Sequence, residues 1–413
     1  MVFPYLFYAL ASGPLTRSRV IKPVVSAISA QPLQLANWLE QNDAILKSSI
    51  GIDNGLRGLV ARNGEGDSLC RIPRNCVIVA DRSSAKRNTR PIDALANSLL
   101  QHIRRAEDES ACSRVGPYIA SLPGPNDLSL TGIGATWTDD QLDLLGHDFT
   151  KKQWIKLRMK RDSFIQRNGV AHDENDELLA GWAYDLASSR ALQGPFGRGG
   201  AVRAALAGTL ISVLMAFLPA FYLNDLSRMP FESAVPVILS VVLVSSLVVA
   251  EPELAMIPWI DLANHKSKSH LNLEYDLLHD SIALKGQRKS IPGESFVNFD
   301  YGGRQGIDNN KLLGEYGFVE ENNPSDILHI EVGEDIVTIG RHGVVRSSTR
   351  SNESFVKEKE VTNAVLKARA RLLAVGTATA TEDGHSTIDF DRTKLAALWR
   401  REKIRLLDEY LER

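Results

Sequence analysis

The stretch IPWIDLANHKSKSHLNLEYD, residues Ile257–Asp276, carries the reading of this chain. An apolar, proline-marked run ends in the pair Asn264-His265, and the chain at once turns polar and basic. Taken alone, an Asn-His pair closing a strand satisfies itself. A metal corner built from Asp261, His265, His270 and His279 is the sharper alternative. Their spacings follow no zinc pattern and no helical HExxH is present, so no metal is expected.

Two further stretches belong with it. Downstream, FVNFDYGGRQGIDNNKLLGEYGF (296–318) runs a strand into a glycine turn and then into a short helix that Asp308 can cap. Tyr301 and Tyr316 stand there as rings able to bury a face and keep a bonded hydroxyl. Its GGRQG resembles a phosphate loop but lacks the GKS/T ending and the later acid of a dinucleotide fold. Upstream, GLRGLVA places Gly55 and Gly58 three residues apart, which alone specifies no more than a turn.

Composition sets the bounds. The chain has 413 residues, 44% of them hydrophobic and 24% charged, so it reads as globular with room for two or three domains. With 48 basic against 50 acidic residues, no global field gathers nucleic acid. The three cysteines, Cys70, Cys76 and Cys112, form no CxxC pair and fit a reducing compartment better than a disulfide framework.

Two segments depart from a plain globular pattern. Residues 1–34 begin apolar and uncharged, then carry Arg17, Arg19 and Lys22 with no acid, as a targeting leader does. Within an apolar insert at 196–252, residues 204–224 and 233–250 are free of charge, each long enough to cross a bilayer as a helix. The short charged link DLSRMPFE between them, and Arg198 and Arg203 before them, predict a membrane hairpin through 204–250 with the body on the cytosolic or stromal side. The alternative is a buried helix followed by buried valine-rich strands.

Elsewhere the periodicity alternates without βαβ regularity. LANWLEQNDAIL, PIDALANSLLQHIRRAEDE and DELLAGWAYDLASSRAL predict helices, Thr138 caps another, and TKLAALWRREKIRLLDEYLER closes the chain. Short strands split by a helical insert at 92–180 indicate an α+β fold.

In combination, GLRGL, IPWIDLANH, NFDYGG and YGFVEENNPSD, with RIPRNCVI, YIASLP and SSRAL between them, resemble the SET-domain methyltransferases. The resemblance is to the branch of the Rubisco large-subunit lysine methyltransferase and the actin-histidine methyltransferase, and it runs from about Trp38 to the C-terminus. It implies a SET domain of short twisted sheets over 35–324 and a mainly helical substrate-binding domain over 325–413. It implies S-adenosyl-L-methionine as cofactor, with Gly55, Arg57, Gly58 and Leu59 along it, Arg190 at its carboxylate, and Asn264 and His265 gripping its ends. Tyr301 resembles the catalytic tyrosine, Tyr316 and Phe318 the aromatic wall of the transfer channel, and Ser189 and Asp261 residues beside the incoming amine. The implied activity is lysine N-methylation of a non-histone protein by a monomer. Histidine methylation and a non-catalytic protein-binding module are the rivals. The long gap between Arg190 and Asp261 and the extended GGRQGIDNN loop depart from the family pattern.

Overall fold

In a computed structural model of the chain, the residues described are 31–53, 56–61, 68–80, 89–107, 114–125, 132–169, 173–194, 253–276, 279–286, 296–302, 306–348, 358–378 and 387–413. Helix α1 (Gln31–Gln41) leads into the short strand β1 (Ile45–Leu46), then β2 (Ser48–Asp53), β3 (Leu56–Ala61), β4 (Ser68–Pro73) and β5 (Ile78–Val79). The helix ends sooner than its sequence predicts because Asp43 takes a left-handed φ of 66° and turns the chain. It also begins at Gln31, inside the stretch read as a leader; residues 1–30 lie outside the described residues.

The helical insert follows: α2 (Pro91–Glu107), α3 (Gly116–Ser121), α4 (Asp139–Asp143), α5 (Asp148–Asn168) and α6 (Glu174–Arg190). Helix α4 starts with a reciprocal capping box: Gln141 N–H donates to Thr138 Oγ1, and Thr138 N–H donates to Gln141 Oε1 at 3.0 Å. After α6 come β6 (Leu192–Gly194) and, beyond the undescribed 195–252, β7 (Glu253–Met256). The predicted membrane hairpin lies outside the described residues; among the described residues no helix is long and apolar enough to cross a membrane.

The chain continues through β8 (Asn264–His265), β9 (Leu271–Asp276), β10 (Ser281–Gly286) and β11 (Phe296–Phe299). Helix α7 (Asn309–Lys311) then widens into a π-turn over Leu312–Tyr316. Three small sheets result, ordered β1-β4-β10-β9, β2-β3-β11-β8 and β5-β7-β6. Their inner faces and helices α1, α2 and α6 share one core, in which Leu35, Leu59, Ile72, Leu99 and Leu186 are buried. The architecture is α+β, as the sequence indicates.

The C-terminal part is mainly helical, as expected, but opens with a small sheet. A meander of β12 (Ile327–Val332), β13 (Asp335–Gly340) and β14 (Gly343–Ser348) precedes α8 (Glu358–Ala378) and α9 (Thr387–Leu411). The β-branched residues of ILHIEV and DIVTIG suit strands, and Leu328 and Ile330 point to the buried face of β12. This part does not pack alone. Its core joins Leu328, Val337, Val365, Trp399 and Leu406 to Trp137 and Trp154 of the insert and to Leu313. Trp137 and Trp154 meet edge to face at 5.6 Å. Lys403, fully buried, donates to Asp326 Oδ1 at 2.6 Å and to the Ile327 carbonyl at 2.8 Å, tying α9 to the start of β12.

Candidate active site

One sheet draws the three scattered motifs together. Strand β11 pairs antiparallel with β3, Val297 opposite Leu59, and parallel with β8, Phe299 opposite His265. The GLRGL stretch read as a loop is therefore strand from Leu56 onward, while Gly55 lies outside the described residues. Leu59 is fully buried. Gly58 has a clear steric role. A Cβ there would sit 2.7 Å from Asn264 Nδ2 and 3.2 Å from Phe296 Cδ1, so glycine is what lets Asn264 lie across β3.

Ahead of β8 the backbone is strained. Trp259 takes φ 72° and ψ −49°, a tight-turn region rare for a bulky residue. Its buried indole N–H donates to Ser48 Oγ at 2.9 Å and holds the turn. The next residues form a single 3-10 turn, Ile260–Leu262, that aims Asp261 inward. Arg190, the last residue of α6, reaches Asp261 Oδ2 at 3.2 Å, and Tyr118 donates its hydroxyl to the same oxygen at 2.7 Å. The other carboxylate oxygen, Oδ1, is buried with no hydrogen-bond partner. Burial pushes the Asp261 carboxyl above the usual range, against the pull of Arg190 and Tyr118.

Tyr301 stands at the centre. Its hydroxyl donates to the Ala263 carbonyl at 2.9 Å, and its backbone N–H donates to His265 Nδ1 at 3.3 Å. An Nδ1 that accepts leaves the ring proton on Nε2, which faces Glu320 Oε2 at 3.3 Å but without hydrogen-bond alignment. Rings close around Tyr301: His265 and Tyr316 at 5.0 Å each, Phe299 at 6.2 Å, with Phe318 5.8 Å from His265. Burial pushes the Tyr301 hydroxyl up to about 12, Arg190 pulling it down and Asp261 adding to the rise. Tyr316 is raised too, by burial and then by Glu315 and Tyr301. Both phenols therefore stay protonated at neutral pH, and neither is a ready base.

The segment after α7 supplies the last wall. Gly317 caps the π-turn with φ 80° and faces Gly132, whose carbonyl carbon would lie 3.0 Å from an added Cβ; this bend lets Tyr316 and Phe318 flank the same space. Glu320 takes Ser267 N–H at 2.9 Å and the Ser267 hydroxyl at 2.5 Å. Burial opposes its charge, yet the nearby His265 ring and the bonds from Ser267 hold its carboxyl below the usual range.

A cavity of about 300 Å³ is lined by Tyr301 and Tyr316, by Ser188, Leu192 and Leu254, and by several charged residues. Among the predicted residues, Arg190, Asp261, Asn264, His265, Tyr301, Tyr316 and Phe318 come together in one neighbourhood. Arg57 lies near enough to act on the Asp261 charge. Ser189 stands apart: its hydroxyl bonds back to the Asp185 carbonyl at 2.8 Å, and its neighbour Ser188 lines the cavity instead. Sequence reasoning gave no role to Tyr118, Glu315 or Glu320. Tyr118 is brought to Asp261 across 143 positions of chain, and nothing local to YIASLP signals it.

No family model matches the chain, and no curated protein matches it in sequence. A solved structure does: the crystal structure of the SET domain of LSMT bound to lysine and AdoHcy. It aligns over 94% of this chain and 92% of its own, with TM-score 0.55 and 13% identity. The fold is that of a SET domain. A SET fold explains why three small sheets, rather than one large one, carry the motifs.

Proposed function

We propose that this SET-fold chain is an S-adenosyl-L-methionine-dependent protein N-methyltransferase of the Rubisco large-subunit methyltransferase type, acting on a lysine of a non-histone protein. The observation that carries the reading is Tyr301: a buried, protonated hydroxyl bonded to a backbone carbonyl, ringed by His265, Tyr316 and Phe318, with a cavity leading to it. The similar structure holds lysine and AdoHcy, and AdoHcy is what S-adenosylmethionine becomes on losing its methyl group.

The residues fit such a ligand. The buried Asp261 Oδ1 is a polar atom without a hydrogen-bond partner, and Gly58 lets Asn264 lie against the β3 backbone. Arg190, Asn264, His265 and the backbone of Arg57, Gly58 and Leu59 would hold the cofactor, and Gly55 joins this set as a proposal. When bound, it supplies a sulfonium methyl whose leaving group is a neutral thioether.

The chain's own work is positioning. A lysine amine is charged near pH 7, with an ordinary pKa of ~10.4. The aromatic walls of Tyr316 and Phe318 disfavour that charge and exclude water, leaving more of the amine neutral. Tyr301 donates its proton to the Ala263 carbonyl, so its oxygen lone pairs are free to accept from the amine N–H and turn the amine lone pair along the transfer axis. Asp261, held by Arg190 and Tyr118, balances positive charge beside the site.

The test is Tyr301→Phe with labelled methyl groups and a cell extract as acceptor. Transfer is expected to fall by roughly 100-fold or more, with calorimetric binding of S-adenosylmethionine unchanged. Transfer at the normal rate would overturn the role of Tyr301. Absence of any binding heat in the parent chain would favour the non-catalytic module, and amino-acid analysis of the product separates lysine from histidine.

A further inference from the structure

The cavity is lined by an uneven set of charges. Its lining includes the cations Arg90, Lys160 and Lys311 against the carboxylates Asp185 and Glu315. Asp185 is already spent: Arg161 clasps it with two bonds, 2.7 Å and 2.8 Å. Glu315 meets Lys311 only at 3.9 Å. Arg90 uses Nε and one terminal nitrogen on Asp93, but Asp93 also receives Arg167 at 2.8 Å, so one buried carboxylate serves two guanidiniums. The other terminal nitrogen of Arg90, Nη1, is buried with no hydrogen-bond partner. Lys160 is exposed on α5, a helix whose outer face also shows Lys156. Among the residues that line the cavity, cations thus outnumber carboxylates three to two.

We infer that the opening of this cavity docks an acidic segment of the target protein, with Lys160 and Lys311 holding carboxylates on either side of the residue that enters the cavity. The identity of that entering residue as a lysine rests on the methyltransferase reading; the docking itself does not. A segment carrying glutamates would offset this excess charge. It would also leave Glu315 free to face the entering ammonium once Lys311 turns outward. Charges in such a concave, partly dry setting act more strongly than on an open surface.

The experiment uses the full chain and short fluorescent peptides with a central lysine flanked by glutamates, by glutamines or by lysines. Binding is read by anisotropy, which needs no turnover. Acidic flanks are expected to bind about tenfold tighter than neutral ones, with the advantage shrinking as salt rises. Lys160→Glu/Lys311→Glu should lose or invert that preference while melting at the parent temperature; if the reversal lowers the melt, Lys160→Gln/Lys311→Gln should still reduce it. Equal binding of the three peptides by the parent chain overturns the inference, as does a preference that survives either pair of substitutions. S-adenosylmethionine binding and methyl transfer are read on the same samples. Flank discrimination without either overturns the methyltransferase reading alone, and transfer without discrimination overturns this inference alone.

Discussion

Asp261→Asn tests the electrostatic centre of the site. In the parent chain its carboxylate is almost wholly buried, with Arg190 at 3.2 Å and the Tyr118 hydroxyl at 2.7 Å. The substitution keeps the shape and the Tyr118 bond but removes the charge that balances Arg190. It also sets an amide NH2 against surroundings that give Oδ1 no partner. Breaking one half of a buried ion pair costs ~3–5 kcal/mol. Arg190 keeps the Asp261 carbonyl at 3.3 Å, so the lower end applies, about 3 kcal/mol. With a urea slope near ~3 kcal/mol/M, the unfolding midpoint should fall by roughly 1 M. Adding Arg190→Met should restore most of the loss, because removing both charges leaves neither one buried alone. A midpoint unchanged in Asp261→Asn, or no recovery in the double variant, would refute the view of this pair as mutual counter-ions.

Other outcomes follow from the same geometry. A Tyr301 hydroxyl held up to about 12 should remain protonated where free tyrosine ionises, so the pH–rate profile should climb through pH ~10 without a tyrosinate downturn, and subtracting the Tyr301→Phe absorbance titration should reveal one late-ionising phenol. Gly58→Ala pushes Asn264 aside and should weaken S-adenosylmethionine binding by roughly tenfold or more in calorimetry, with far less effect on melting. His147, which caps α5 through Nδ1, is pushed down to about 4 by burial first and by Lys403 next. The folded chain then binds fewer protons there than the unfolded chain between pH 6.5 and 4, so this stability is full above pH 6.5 and drains as pH falls. His147→Gln should remove roughly 2 kcal/mol of the loss between pH 7.5 and pH 5 in urea unfolding, and an identical pH dependence in both chains would refute it.

Much of this molecule was legible before any coordinates. The periodicity of PIDALANSLL and DELLAGWAYDL gave helices α2 and α6, Thr138 and Asp308 capped where their side chains could accept from free N–H groups, and the motif order pointed to a SET fold. These are local properties: spacing, capping chemistry and turn residues act within a few positions of one another, and a sequence records them directly. Tertiary structure alone decided the rest. Pairing of β3, β11 and β8 is what sets Gly58, Asn264 and Tyr301 side by side. The Tyr118–Asp261–Arg190 contact joins three distant segments, and the second core unites Trp154 of the insert with Trp399 of α9. Such contacts depend on which faces bury together once the chain closes on itself, and burial then sets which hydroxyl stays protonated and which carboxylate is left with an open oxygen.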